Sequence, residues 1–143
     1  MELDLINEVK LGVAKGTESE EAALKNFQGE VAEVGLYLAM ARQAYREGYP
    51  EIAEVLNRIA WEEAVHAAGY AELSGLISES TAENLKKMLH GEQMSNKGKK
   101  AAATKAKEAG NDPAHDYFDE TSRDEARHAC ALAGLLKRYF PEA

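Results

Sequence analysis

Apolar residues recur along this chain at three- and four-residue spacing in four long blocks, and no stretch alternates as a strand would. The first block opens at Thr17-Glu18-Ser19-Glu20, which resembles a capping box with Thr17 as N-cap. It predicts a helix over about residues 18–47, closed by Gly48. Its inward stripe would be Ala23, Phe27, Glu30, either Glu33 or Val34, Tyr37, Ala41 and Ala44. Pro50 suits the first turn of a second helix, over about 50–76. Ser80-Thr81-Ala82-Glu83 is another capping-box pattern and opens a third helix over about 81–108, with Gly110 behind it. Asp112-Pro113 supplies an N-cap and a first-turn proline for a fourth, over about 113–139, and Pro141 follows its end. A shorter pattern at Ile6, Val9 and Val13 predicts a short N-terminal helix ending by Gly16.

The connections are short, so successive helices should run antiparallel around one core. The expected fold is all-α: a four-helix bundle forming a single domain over residues 1–143. Val31, Leu36 and Leu38 fall outside the stripe of the first helix, and an apolar surface that wide predicts a second buried contact in a homodimer. The chain also echoes itself at an offset of 62 residues: Gly29-Glu30 with Gly91-Glu92, Gly48 with Gly110, Glu62-Glu63 with Asp124-Glu125, His66 with His128, and Leu73 with Leu135. That is the pattern of a duplicated two-helix unit, with a pseudo-twofold axis through the bundle.

Composition narrows the function. The formal net charge is −8, which argues against a nucleic acid partner, because phosphate binding needs a basic surface. Cys130 is the only cysteine, so neither an intrachain disulfide nor a Cys₄ metal site can form. The acidic opening Met1-Glu2-Leu3-Asp4 is unlike a secretory signal, and no apolar run is long enough to span a membrane. A reducing cytoplasm is the expected location.

The chemistry centres on Glu63 and His66, three residues apart and so about one turn apart on one helix face. A lone Glu-x-x-His is common on solvated helices. Here it returns as Glu125 and His128, and the inward-facing Glu30 is matched by Glu92. One Glu from each of two helices, with Glu-x-x-His from each of the other two, is the layout of a carboxylate-bridged dinuclear metal site in a helix bundle. Four carboxylates balance two divalent cations, which removes the cost of crowding such groups in an interior. Oxygen-rich donors with two imidazoles suit iron or manganese better than structural zinc. Glu62 and Asp124 either support the imidazoles through hydrogen bonds or are solvated. The lysines at 97, 99, 100, 105 and 107 read as a solvated face.

On these residues the sequence resembles the ferritin-like domain of the rubrerythrins, non-haem diiron peroxidases, and in particular the NADH peroxidase-type branch. The similarity is carried by Asn26-Phe27-Gln28-Gly29-Glu30-Val31-Ala32-Glu33-Val34-Gly35-Leu36-Tyr37-Leu38-Ala39-Met40, by Arg46-Glu47-Gly48-Tyr49-Pro50-Glu51, and by Asp124-Glu125-Ala126-Arg127-His128 followed by Gly134-Leu135-Leu136-Lys137-Arg138-Tyr139-Phe140. The resemblance implies two iron ions, with Glu30 and Glu92 as terminal ligands, Glu63 and Glu125 as bridges, and His66 and His128 as nitrogen ligands; manganese or a mixed pair would fit the same donors. It implies that Tyr37 hydrogen-bonds near the metals. Many relatives carry a further glutamate three residues after the third-helix ligand, where this chain has Ser95. Its counterpart 62 residues earlier is Glu33, which either supplies the extra carboxylate or sits beside the site or in solvent. The implied reaction is reduction of hydrogen peroxide to water. With no rubredoxin-type Cys₄ module in the chain, electrons would come from an external donor such as a rubredoxin or a flavin- or nicotinamide-linked reductase. The rival readings are a ferroxidase or iron-handling protein, a manganese or mixed-metal oxidase, and a non-catalytic metal-binding bundle.

Overall fold

The computed structural model describes residue 7 and residues 9–142. Four α-helices follow one another: α1 (Glu20–Glu47), α2 (Pro50–Leu73), α3 (Thr81–Glu108) and α4 (Asp112–Tyr139). There is no strand among the described residues. The chain divides into two compact units, Met1–Glu79 and Ser80–Ala143, each holding one helical hairpin.

In the first unit α1 packs on α2. The turn between them is made by Gly48, whose φ of 84° is open to glycine and strained for other residues. Its N–H reaches back to the carbonyls of Ala44 and Tyr45, and Pro50 then starts α2 at once. The buried residues of α2 and its end recur every seventh position, at Ala53, Ala60, Ala67 and Ser74. A seven-residue repeat holds one stripe against a neighbouring helix over several turns, and alanine lets the two backbones come close. Across from it α1 presents Ala23, Ala41 and Ala44 as buried positions, with Phe27, Glu30, Val34 and Tyr37 half-buried between them. That is the expected stripe with Val34, not Glu33, as its member; Glu33 is exposed. Val31, Leu36 and Leu38 are exposed, as their positions off the stripe require.

The start of α1 departs in detail from the expected capping box. The N-cap is Ser19, while the Thr17 hydroxyl accepts from the Ser19 N–H and the Glu20 carboxylate accepts from the Gly16 N–H at 2.8 Å. Where a short N-terminal helix is expected, residues 9 and 10 have no regular structure and 11–16 form turns; Ile6 lies outside the described residues. The reason is a contact made by the far end of α2. Gly12 N–H donates to the Glu72 carbonyl at 2.8 Å and Ala14 N–H to the Leu73 carbonyl at 2.9 Å. These bonds satisfy carbonyls that a helix C-terminus leaves without partners. They also account for α2 ending at Leu73 instead of near residue 76. Gly75 must take a φ of 63° there, and a Cβ on it would stand 3.1 Å from the Gly12 Cα. Gly75→Ala is therefore expected to destabilise the first unit by about 1–2 kcal/mol, read as a lower urea midpoint with an unchanged slope.

The second unit repeats the plan. The Ser80 hydroxyl caps α3 by accepting from the Glu83 N–H, and Asn111, one residue before the expected cap, accepts from the Ala114 N–H to cap α4. The heptad positions of α4 are His115, Ser122, Ala129 and Leu136, each 62 residues after its counterpart around α2. Ser122 is buried, and its carbonyl accepts from the Asn96 amide at 2.7 Å, so this hairpin joins its helices partly through polar groups. Ion pairs from α3 to α4 add to it: Lys100 with Asp119 at 2.6 Å, and Lys107 with Asp112 at 2.8 Å.

Candidate metal centre

Each hairpin brings together three donors. In the first, Glu30 from α1 lies at the middle of the half-buried stripe, and Glu63 and His66 lie one turn apart on the facing side of α2. In the second, Glu92 from α3 meets Glu125 and His128 from α4 in the same way. Within each set one ligand atom per residue falls inside 4.8 Å of the others, which is the spacing a single cation needs to be held by all three. The four carboxylate side chains are only 13–19% exposed, whereas both imidazoles are 57% exposed. All six residues expected as ligands are thus gathered, three to a hairpin.

The first set holds itself together through protons. His66 Nδ1 stands 3.0 Å from Glu63 Oε2 and 3.7 Å from Glu30 Oε2. A hydrogen bond with Glu63, with burial and charge repulsion behind it, holds the Glu30 carboxyl above the ordinary carboxylate range. The same bond and the His66 imidazole hold Glu63 below that range. His66 is raised above the usual imidazole value, chiefly by its hydrogen bond to Glu63. A metal ion held here would compete with protons for the same carboxylate oxygens and imidazole nitrogen.

The second set is arranged differently. His128 Nδ1 stands 3.5 Å from both Glu92 Oε2 and Glu125 Oε2. Glu125 Oε1 is taken by the Lys99 ammonium, reaching across from α3. Glu92 Oε2 is buried and has no hydrogen-bond partner. A buried carboxylate oxygen without a donor is costly, and a cation held with His128 and Glu125 would satisfy it. Two carboxylates and an imidazole are donors that divalent iron or manganese accepts, so the residues present fit such an ion.

Other expected residues fall outside the donor sets. Glu33 is exposed, though near enough for its charge to raise Glu30. Tyr37 is half-buried two turns after Glu30. Asp124 pairs with Arg127 on its own helix, and Glu62 is exposed. Lys99 is the residue that the reading of the lysine run as a solvated face passes over. Its signal in the sequence is its offset: Lys99 stands 62 residues after Tyr37, in the place where the duplicated unit carries the tyrosine.

Helical hairpins carrying repeated Glu and Glu-x-x-His sets define a class of all-α protein able to ligate metal through carboxylates and imidazoles. The family model for rubrerythrin matches residues 21–82, the span of the first donor set. Over 140 residues the chain is 71% identical to an uncharacterized protein of Methanocaldococcus jannaschii, covering 98% of this chain and 99% of that one. It is 52% identical over 137 residues to reverse rubrerythrin-1 of Clostridium acetobutylicum, covering 94% of this chain and 76% of the relative. The chain belongs to the rubrerythrin family, and its fold class is the all-α, ferritin-like one. No described helix is long and apolar enough to cross a membrane.

Proposed function

We propose that this protein is a non-haem peroxidase that holds two iron ions, one in each donor set, and reduces hydrogen peroxide to water with electrons from an external donor protein. The observation that supports this reading is the matched pair of half-buried Glu, Glu and His sets, with a donor-less Glu92 oxygen, in a member of the rubrerythrin family. When bound, two ferrous ions supply the two electrons that convert one peroxide and two protons into two waters. The chain's own residues hold and balance that charge. Four carboxylates carry −4 between them, and the two imidazoles add nitrogen donors without charge. A cleft of about 540 Å³, lined by Val65, Gly69, Tyr70 and Leu73 beside Glu30 and His66, gives a small molecule access to the first set. The electron donor is a rubredoxin or a flavin- or nicotinamide-linked reductase, and a homodimer would cover the exposed Val31, Leu36 and Leu38.

Anaerobic stopped-flow mixing of the diferrous protein with hydrogen peroxide tests the reading. Fast oxidation at one peroxide per two irons, with a much slower reaction toward dioxygen, is the expected result. Sluggish reaction with peroxide and brisk dioxygen consumption would replace it with a ferroxidase or oxidase. Within this reading Glu33 is proposed to add a carboxylate as iron is oxidised. Glu33→Gln is then expected to shift the diferric spectrum and slow peroxide reduction; an unchanged rate and spectrum would end that role.

A further inference from the structure

We infer that Lys99 makes the two donor sets inequivalent and fixes the order in which metal enters them: Glu30, Glu63 and His66 fill first, and Glu92, Glu125 and His128 second. This rests on the metal-centre reading above and adds to it a residue that positions charge.

The geometry starts from the duplication. Seven residues after Glu30, two helical turns along the same face, stands Tyr37; seven after Glu92 stands Lys99. The tyrosine is neutral. The lysine is not, and its ammonium is bound to Glu125 Oε1, with the carboxylate side chain 13% exposed and the lysine side chain 36%. An ammonium on a sheltered carboxylate does two things to an incoming cation. It occupies an oxygen that the cation needs, and it repels the cation from a few ångströms away.

A second difference between the repeats points the same way. Glu33 adds a carboxylate about one helical turn after Glu30, while the matching position in the other repeat is the uncharged Ser95. The first unit thus has two carboxylates with Glu33 and a tyrosine nearby, and the second has two carboxylates with a serine and a lysine nearby. The distances carry the mark of this. His66 closes to 3.0 Å on Glu63, whereas His128 stays 3.5 Å from Glu125, whose other oxygen is engaged by Lys99. An ion entering the second set must push the Lys99 side chain off Glu125, and no side chain of the first set stands in that way.

The test uses cobalt(II) as the probe, titrated anaerobically into the full-length apo chain at about pH 8 and followed by calorimetry and visible absorption. His128→Ala leaves the first set intact, and His66→Ala leaves the second. The His128→Ala protein is expected to bind cobalt at least about tenfold more tightly than the His66→Ala protein, since a unit charge a few ångströms away exceeds that ratio at protein-like dielectric. Adding Lys99→Met to His66→Ala should tighten binding about tenfold and close most of the gap; adding it to His128→Ala should change nothing. Lys99→Gln, which keeps a hydrogen bond but no charge, should behave as the methionine variant does if that one folds poorly. Lys99→Arg should keep the weak binding of the parent, a rescue that a merely structural role would not produce. If Lys99→Met and Lys99→Gln leave the His66→Ala affinity unchanged, or tighten both backgrounds alike, Lys99 does not set the order. If neither single-set protein nor the wild type takes up cobalt, the metal-centre reading falls and takes this inference with it.

Discussion

If each donor set holds one iron as proposed, replacing Glu63 with alanine is expected to reduce two irons per chain to one, and to slow peroxide-driven oxidation at least about a hundred-fold, because loss of a direct ligand exceeds the 10–100-fold cost of losing a group that merely supports one. Glu63 is the residue on which the first donor set depends. One of its oxygens lies within 4.8 Å of ligand atoms of both Glu30 and His66, it stands 3.0 Å from His66 Nδ1, and its side chain is 16% exposed. Without it Glu30 and His66 sit 3.7 Å apart with a void between them, and no pair of donors can hold an ion against a chelator. Iron content after reconstitution and a chelator wash, read beside the stopped-flow amplitude, checks the expectation. The second set, on α3 and α4, should retain one iron. Two irons per chain in Glu63→Ala would show that the metal is held elsewhere.

Ala53→Leu is the other change with a large expected effect, on stability instead of chemistry. Ala53 has no exposed surface, and it packs with Ala41, at 1%, and Ala44 in the tightest part of the first unit, with Leu56 closing the side. Leucine is nearly as good a helix former as alanine, so a loss measured here is a packing loss. Three extra carbons must either push α1 away from α2 or force strained rotamers, a cost of roughly 1–3 kcal/mol or more. Because Glu30 stands on one of these helices and Glu63 on the other, the same displacement should widen the donor set and weaken metal binding. Ala39→Leu, on the exposed side of α1, is the control and should be near neutral. If urea midpoints show Ala53→Leu to be no less stable than Ala39→Leu, the close crossing is not what holds this unit.

How much of this could be read in the residues depends on whether the cause is local. Helix ends set by their own neighbourhood were legible: Gly48 with Pro50, the Ser80 cap, and Gly110 before Asp112-Pro113 all fall within a residue or two of the observed limits. The end of α2 was not. It is fixed by Gly12 and Ala14, sixty residues away in sequence, whose N–H groups take the carbonyls of Glu72 and Leu73, and nothing near Leu73 announces that partner. The same contact turns residues 11–16 away from the helix that their apolar spacing suggests. The meeting of Glu30 with Glu63 and His66, and of Glu92 with Glu125 and His128, was legible because duplication printed the pattern twice, so that a weak Glu-x-x-His gained weight from its copy. Lys99 was not legible for the opposite reason. It lies in a run of five lysines that resembles any solvated face, and only the packing of α3 on α4 shows that Lys99, Lys100 and Lys107 each meet a carboxylate there. Setting the two repeats side by side, Tyr37 against Lys99, would have exposed it.

Each hairpin is proposed to supply the donors for one metal ion. Anomalous diffraction at the iron edge, from crystals of the anaerobically loaded protein, tests it most directly. Two iron peaks per chain are predicted, one within coordinating distance of Glu30, Glu63 and His66 and one within coordinating distance of Glu92, Glu125 and His128. A single peak at full loading, or iron bound away from these six side chains, would contradict it.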